Sequence, residues 1–198
     1  VTEAGRHVRD YDFRHHSGAT ARDLGYHTVF RILAGETLGA DVGLVERIFE
    51  YFAVADVPTL AEKAADNLRQ EYREIMRQYG NVASLITEAA SDGVPLALTV
   101  CDMVVSSLGL GVRLVGSLFQ SDVVLCALIG GVARSKYIRA HLSKELERET
   151  NKRYELVEPA LLPEAGAVLM ALDRLGIAWD ETSIANLPGR IGNPTYGG

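Results

Sequence analysis

The chain has few cysteines, no excess of basic residues and no long uninterrupted apolar run. Two cysteines among 198 residues cannot form a disulfide framework. Twenty lysine and arginine residues against 26 aspartate and glutamate residues give a net charge of −6, so the basic excess that favours nucleic-acid binding is missing. No apolar run reaches the roughly 18 residues of a membrane-spanning helix. These absences predict a cytoplasmic protein that binds neither nucleic acid nor a membrane.

The composition predicts a folded chain with one main domain. Hydrophobic residues make up 47% and charged residues 23%, near the average of globular proteins. Residues 1–21 begin with Val1 rather than methionine, which is typical of a trimmed chain; they show no signal-peptide pattern and no sustained periodicity. We therefore expect an irregular segment over 1–21, one lobe over 22–176 and a loose, turn-rich tail over 177–198.

Apolar residues recur at helical spacing through most of the chain. The pattern predicts helices over residues 22–35, 41–52, 58–65, 68–79 with Gly80 as its cap, 82–90, 95–118, 135–151 and 163–175. Strands are predicted at Val123–Ile129 and Tyr154–Glu158. Because Val123–Ile129 has no polar alternation, we expect a central parallel strand that is covered on both faces. The predicted fold class is α/β, rich in helix, with a small parallel sheet as its core.

A glycine pair follows the first predicted strand, in Ile129-Gly-Gly-Val-Ala-Arg-Ser135. Glycines let the backbone approach a ligand closely, and the following helix would offer its first N–H groups to an anion or a ribose. Ser135 is the expected N-cap of that helix. The loop matches neither a Rossmann nor a Walker A pattern. By itself a Gly-Gly turn after a strand is also compatible with a purely structural role.

A second segment, Glu158–Leu169, turns from a short strand through prolines into a helix of small residues, and we expect it to lie beside the glycine loop. Together, Leu128–Ser135 and Pro163–Leu172 resemble the carboxyl-terminal lobe of the actin, Hsp70 and sugar-kinase superfamily. The likeness is strongest to the BadF/BadG/BcrA/BcrD ATPase family, which includes N-acetylglucosamine kinases. Residues 84–97 and 23–32 also resemble helical segments of that family. The resemblance covers about residues 16–175.

The resemblance implies a ribonuclease H-like lobe that contacts ATP, in a kinase that phosphorylates a sugar hydroxyl. It implies that adenosine is contacted by Gly130 and Gly131, with Ala133 and Ser135 at the start of the following helix and Gly166 on the opposite wall. Two departures stand out. His16-Ser-Gly-Ala-Thr20 lacks the acidic pair of the family's sugar-binding stretch, and no segment matches its Asp-x-Gly-x-Thr phosphate loop or its catalytic Asp. Mg²⁺ and the base are therefore expected from a lobe outside this sequence, and this chain alone is expected to be inactive.

Two other functions remain open at the level of the sequence. One is a non-catalytic interaction module that forms a homodimer through an exposed apolar edge. The other, within the same family, is an ATPase that activates a dehydratase or a reductase. Each would use the same predicted lobe, so the fold alone does not separate them from a kinase.

Several individual residues have both a chemical and a structural interpretation. Four histidines, His7, His15, His16 and His27, lack the spacing of a structural zinc site, so no metal site is predicted. Cys101 and Cys126 lie in apolar segments, where burial makes a thiol unreactive, and we expect both in the core. The apolar stripe over 96–119 is expected to pack on the sheet. The glycines at 109, 111 and 116 are expected to weaken the long helix locally, and close contact with another subunit is the alternative that they leave open.

Overall fold

The computed structural model describes residues 19–66, 72–148 and 151–185. These residues form a helix-rich α/β fold with a small parallel sheet. The helices are α1 (Ala21–Leu33), α2 (Val42–Phe52), α3 (Val57–Asp66), α4 (Tyr72–Asn81), α5 (Ala83–Ser91), α6 (Pro95–Gly116), α7 (Lys136–Leu146), α8 (Pro163–Arg174) and α9 (Glu181–Ala185). The strands are β1 (Val123–Ala127) and β2 (Arg153–Val157), and short 3-10 turns lie at Gly39–Asp41 and Val132–Arg134.

The chain divides into two compact units. The first unit comprises the residues up to Cys126 together with Gly130–Glu155, and it contains α1 to α7. The second unit comprises Ala127–Ile129 and the residues from Leu156 onward, and it contains α8 and α9. The main core and the candidate site both belong to the first unit.

Helix α6 forms the centre of the first unit. Pro95 fits its first turn, where no backbone N–H is needed, and the helix contacts α1, α5 and α7. Its most deeply buried side chains are Leu96, Ala97, Val100, Cys101 and Val104. By length and composition alone, α6 is apolar enough to cross a membrane, since an 18-residue stretch of it has a mean hydropathy of 1.7. Core helices of soluble proteins pass the same test, and 44% of this apolar window is buried inside the chain.

The glycines of α6 serve packing within the chain. The helix runs unbroken through them, and a Cβ placed on Gly109 would lie 2.6 Å from Cγ of Glu145 on α7. A Cβ on Gly116 would lie 2.6 Å from Cε1 of Tyr154. Arg113 of α6 then pairs with the Glu145 carboxylate at 3.0 Å. The space predicted for a second subunit at these two glycines is therefore filled by α7 and by the β2 tyrosine.

The sheet differs from the prediction in extent and in coverage. β1 and β2 are parallel neighbours, and in the described part of the chain β1 pairs with β2 alone, so β1 is not a central strand. Val124 is buried, but Leu125 is 61% exposed, so the prediction of two covered faces is wrong. An apolar run reflects the hydrophobicity of each residue, whereas coverage depends on whether a helix lies on each side. The ribonuclease H-like assignment stays a prediction.

Several predicted element boundaries shift in the structure. Helix α4 continues through Gly80 to Asn81, so Gly80 is not its cap, and the predicted start at residue 68 lies outside the described residues. Helix α7 ends at Leu146, earlier than predicted, but its N-cap is confirmed: the Ser135 hydroxyl accepts a hydrogen bond from the Ile138 N–H. In the tail, which was expected to be loose, residues 181–185 form α9.

A buried carboxylate connects the turn before α2 to the start of α6. Asp41 is 1% exposed, and its two oxygens accept hydrogen bonds from the N–H of Leu38 at 2.7 Å and from the N–H of Leu96 at 2.8 Å. Leu96 lies in the first turn of α6, where N–H groups have no partner within the helix. Asp41 therefore caps α6 from a position 55 residues earlier in the chain.

Candidate functional site

A cleft of about 610 Å³ lies in the first unit, between α5 and the beginning of α7. One side, which we call the α5 wall, consists of Ala83, Ser84, Thr87, Glu88, Ser91 and Asp92. The other side, the α7 wall, consists of Gly131, Val132, Arg134, Ser135 and Lys136. Ala21, Gly80 and Asn81 complete the lining. The volume falls within the roughly 300–1,000 Å³ that is typical of pockets for small ligands.

The two glycines after β1 have different roles. Gly130 has a φ of +98°, a conformation that side-chain-bearing residues rarely adopt, and it turns the chain out of the strand. Gly131 has an ordinary helical φ of −62°, and a Cβ placed there would meet no atom within 4 Å. Gly131 therefore leaves open space on the surface of the cleft, whereas Gly130 is needed for the turn.

The part of the α5 wall from Thr87 to Asp92 presents hydrogen-bond acceptors. The Thr87 hydroxyl donates to the Ser84 carbonyl, and the Ser91 hydroxyl donates to the Thr87 carbonyl, both at 3.0 Å. Because a hydroxyl has only one proton to donate, both groups have only lone pairs left for a ligand. Glu88 and Asp92 add two carboxylates four residues apart, a spacing that brings side chains together on one helix face.

The α7 wall carries the opposite charge. Arg134 and Lys136 are exposed, and neither forms an ion pair with any residue in the described ranges. On the α5 wall, Glu88 has a partner outside the cleft, since Arg47 of α2 lies 3.5 Å from its carboxylate. The cleft thus has acceptors and negative charge on one side, and on the other side positive charge that is unpaired within the described part of the chain.

The structure brings together part of the predicted site. Gly131 and Ser135 line the cleft, whereas Gly130 is not among the lining residues, and Ala133 lies within the 3-10 turn Val132–Arg134. Gly166 is the fourth residue of α8, in the second unit, where its N–H donates to the Leu162 carbonyl at 3.1 Å. The prediction that Gly166 contacts adenosine from the side opposite the glycine loop stays a prediction.

Sequence reasoning missed most of the polar lining. Residues 84–97 resemble a helical segment of the family, but no motif marks Thr87, Glu88, Ser91 and Asp92, whose spacing along α5 and its C-cap places polar groups on one helix face. That spacing was the available signal. Nothing in the sequence indicated that this face would lie opposite Arg134 and Lys136, because the two segments are separated by the whole of α6.

Metal-binding side chains do not form a dedicated cluster in the described residues. No group of three or more His, Cys, Asp or Glu side chains that could hold a metal ion occurs among them. His7, His15 and His16 lie outside the described ranges. Glu88 and Asp92 of the cleft are a pair of carboxylates that no third His, Cys, Asp or Glu joins in the described part of the chain.

A second cluster of titratable groups lies where α6 meets α7. The Tyr137 hydroxyl donates to Oδ1 of Asp102 at 2.7 Å, and the His141 ring stacks on the Tyr137 ring with centroids 3.8 Å apart. Burial raises the pKa of the Cys101 thiol to about 12. The pKa of Tyr137 is raised as well, mainly by burial and to a lesser extent by the hydrogen bond to Asp102. Cys101 is in the core, as predicted. Cys126 is only partly buried, so the prediction that it lies in the core is wrong, but its partial burial still raises the pKa of the thiol.

The raised pKa of Cys101 predicts a loss of stability in alkaline solution. In the unfolded chain the thiol ionises near its ordinary pKa of 9.0, but in the folded chain it keeps its proton up to about pH 12. Proton release on unfolding therefore favours the unfolded state as the pH rises through this window. We expect the urea midpoint to fall between pH 9 and pH 12, and to fall less steeply in Cys101→Ala. Equal slopes for the two proteins would contradict this interpretation.

Comparisons of this chain with protein-family models, with curated proteins and with solved structures find no match. The helix-rich α/β architecture and the two walls of the cleft are therefore the observations from which a function is argued.

Proposed function

We infer that this chain is the nucleotide-contacting lobe of a cytoplasmic ATP-dependent kinase or ATPase, and that the adenosine part of ATP binds in the cleft. One observation carries this inference. Residues 84–97 and 128–135 are far apart in sequence, each resembles a different part of the BadF/BadG/BcrA/BcrD family, and both contribute to the lining of one cleft. Two family-like segments that meet at one cleft are expected if both contact the same ligand.

The chemistry of the α7 wall supports a phosphorylated ligand. Arg134 and Lys136 have no ion-pair partner within the described ranges and can pair with phosphate oxygens, and charge-assisted hydrogen bonds of this kind are stronger than neutral ones. The first N–H groups of α7 add a partial positive charge at the same side of the cleft. The open space above Gly131 leaves room for a flat base close to the backbone.

Bound ATP would supply the phosphoryl group, and the residues of this chain would bind and orient the nucleotide. Phosphoryl transfer also requires a metal ion and an oriented nucleophile. No catalytic step is assigned to the described residues, because no segment of this sequence matches the family's phosphate loop or its catalytic Asp. The acceptor that the resemblance implies is a sugar hydroxyl, positioned together with the catalytic residues outside this sequence.

Filling the space above Gly131 tests this inference. ATP and ADP are expected to raise the melting temperature of the chain and to shift the amide signals of residues 129–135. In Gly131→Leu we expect affinity to fall roughly tenfold or more by titration calorimetry, because the new side chain occupies the cleft. Folding should be unaffected, since the residue has a φ of −62° and no atom lies within 4 Å of its Cβ position.

Gly43→Leu is the matched control. Gly43 lies in α2, outside the lining of the cleft, and a Cβ there also meets no atom within 4 Å. It should bind ATP like the unaltered chain. If saturating ATP changes neither the melting temperature nor the amide signals, the nucleotide inference fails. Sedimentation as a dimer would then favour the interaction module, for which the exposed Leu125 is the natural contact.

A further inference from the structure

The side chain of Arg31 connects α1 to α6 at a point outside the cleft. Its Nη1 pairs with the Glu36 carboxylate just after α1, and its Nη2 donates a hydrogen bond to Sδ of Met103 on α6, with 3.3 Å between the two atoms. Neither Arg31 nor Met103 lines the cleft. The contact is therefore separate from the proposed nucleotide site.

The hydrogen bonds of Arg31 leave part of its donor capacity unused. A guanidinium carries N–H donors on each of its nitrogens, whereas a thioether sulfur is a weak acceptor. The Nε atom of Arg31 is buried, and it is the one buried side-chain nitrogen or oxygen without a hydrogen-bond partner in the described part of the chain. A buried donor that lacks a partner costs free energy. An acceptor stronger than sulfur would therefore be stabilised at this point.

Met103 gains such an acceptor when it is oxidised. The residue is 37% exposed, so a small oxidant reaches its sulfur from solvent. With hydrogen peroxide as the oxidant, a sulfur lone pair attacks one peroxide oxygen, and the S–O bond forms as the O–O bond breaks. The departing oxygen takes up the proton of the attacked oxygen and leaves as water. Sulfur loses two electrons to the peroxide, and the thioether becomes a polar sulfoxide.

We propose that Met103 is a modification site at which peroxide forms a sulfoxide, and that the Arg31 guanidinium binds the new oxygen. A hydrogen bond from a cationic donor to this oxygen is stronger than the present one to sulfur. Oxidation therefore strengthens the contact between α1 and α6. In a closed core a methionine sulfoxide disrupts packing, but Met103 is partly exposed, so its oxygen is not forced into apolar surroundings.

The experiment treats the full chain with hydrogen peroxide and compares the melting temperature before and after. Met76→Leu and Met170→Leu are introduced first, so that Met103 is the only methionine in the sequence. Peptide mass spectrometry should find one added oxygen atom, on Met103. We expect the melting temperature to rise by roughly 2–4 °C, the effect of one stronger hydrogen bond in a chain of this size. The NMR signal of the Arg31 Nε–H group should shift on oxidation.

Two variants test whether Arg31 is responsible for the rise. Arg31→Lys keeps the positive charge but has no Nε–H group and no planar fork, so most of the rise should be lost. The matched control carries Met76→Leu and Met103→Leu, which leaves Met170 as the only methionine. Met170 is 42% exposed, so it is open to the same oxidant, but no arginine of the described ranges donates a hydrogen bond to its sulfur. Its oxidation should bring no rise.

Each result bears on one part of the proposal. If Met103 of the folded chain resists peroxide, it is not a modification site. If its oxidation does not raise the melting temperature, or leaves the Arg31 Nε–H signal in place, binding of the sulfoxide by Arg31 is refuted. An equal rise in Arg31→Lys, or in the chain that keeps only Met170, would also contradict the role given to Arg31.

Discussion

Asp41→Ala is expected to lower the free energy of unfolding by roughly 3–5 kcal/mol. The change removes the acceptor of two N–H groups, those of Leu38 and Leu96, and leaves a small void at a site that is 1% exposed. Water does not reach such donors easily, so they carry the full cost of being desolvated without a partner. Urea denaturation followed by circular dichroism measures the loss directly.

Two further variants test whether the loss of stability comes from the buried hydrogen bonds of Asp41 or from the removal of a carboxylate as such. Asp41→Asn keeps one carbonyl acceptor, but its amide nitrogen cannot accept, so an intermediate loss is expected. Asp56→Ala removes an exposed acid that accepts a hydrogen bond from the Thr59 N–H in the first turn of α3. Water can replace that acceptor, so its loss should be much smaller. Equal losses for Asp41→Ala and Asp56→Ala would rule out the role given to Asp41.

Gly25→Ala is expected to destabilise the chain by roughly 3 kcal/mol, because α1 and α4 pack too closely there for any side chain. A Cβ on Gly25 would lie 2.8 Å from the carbonyl carbon of Tyr79 and 3.0 Å from its Cα. These are backbone atoms, so the helices must separate, which also disturbs the stacking of Tyr26 on Tyr79, whose ring centroids are 4.2 Å apart. This cost exceeds the gain of up to about 1 kcal/mol that alanine brings to a helix. The measurement is again the urea midpoint.

Gly43→Ala provides the comparison for that prediction. Gly43 is an exposed residue of α2 with no atom within 4 Å of its Cβ position, so only the helix preference of alanine acts there. It should stabilise the chain slightly. If Gly25→Ala were also stabilising, the close approach of α1 and α4 would be refuted.

The helices were the most predictable part of the fold. Helix α2 ends at Phe52 and α8 begins at Pro163, both as the sequence predicts, because each helix combines apolar residues at helical spacing with a local start or stop signal. The strands were located but their environment was not. The run at β1 is apolar throughout, yet Leu125 is exposed, since no local pattern records how many layers will cover a strand.

The candidate site was predictable on one side only. Gly131 and Ser135 stand out in the sequence because a glycine turn and an N-cap are local features with recognisable residue types. Glu88 and Asp92 carry no such mark. Their importance depends on the packing of α5 beside α7, a long-range arrangement that the sequence of either segment does not contain.

The sequence by itself determined the positions of most helices, the two strands, the turn at Gly130 and the cap at Ser135, because each depends on residues within a few positions of one another. Only the tertiary structure decided that Gly25 and Gly109 are sites of close helix packing rather than positions that weaken a helix. It also decided that Asp41 caps a helix 55 residues away and that polar residues of α5 face the start of α7. Local preferences act along the chain, whereas steric exclusion and buried hydrogen bonds act between segments that meet only when the chain has folded.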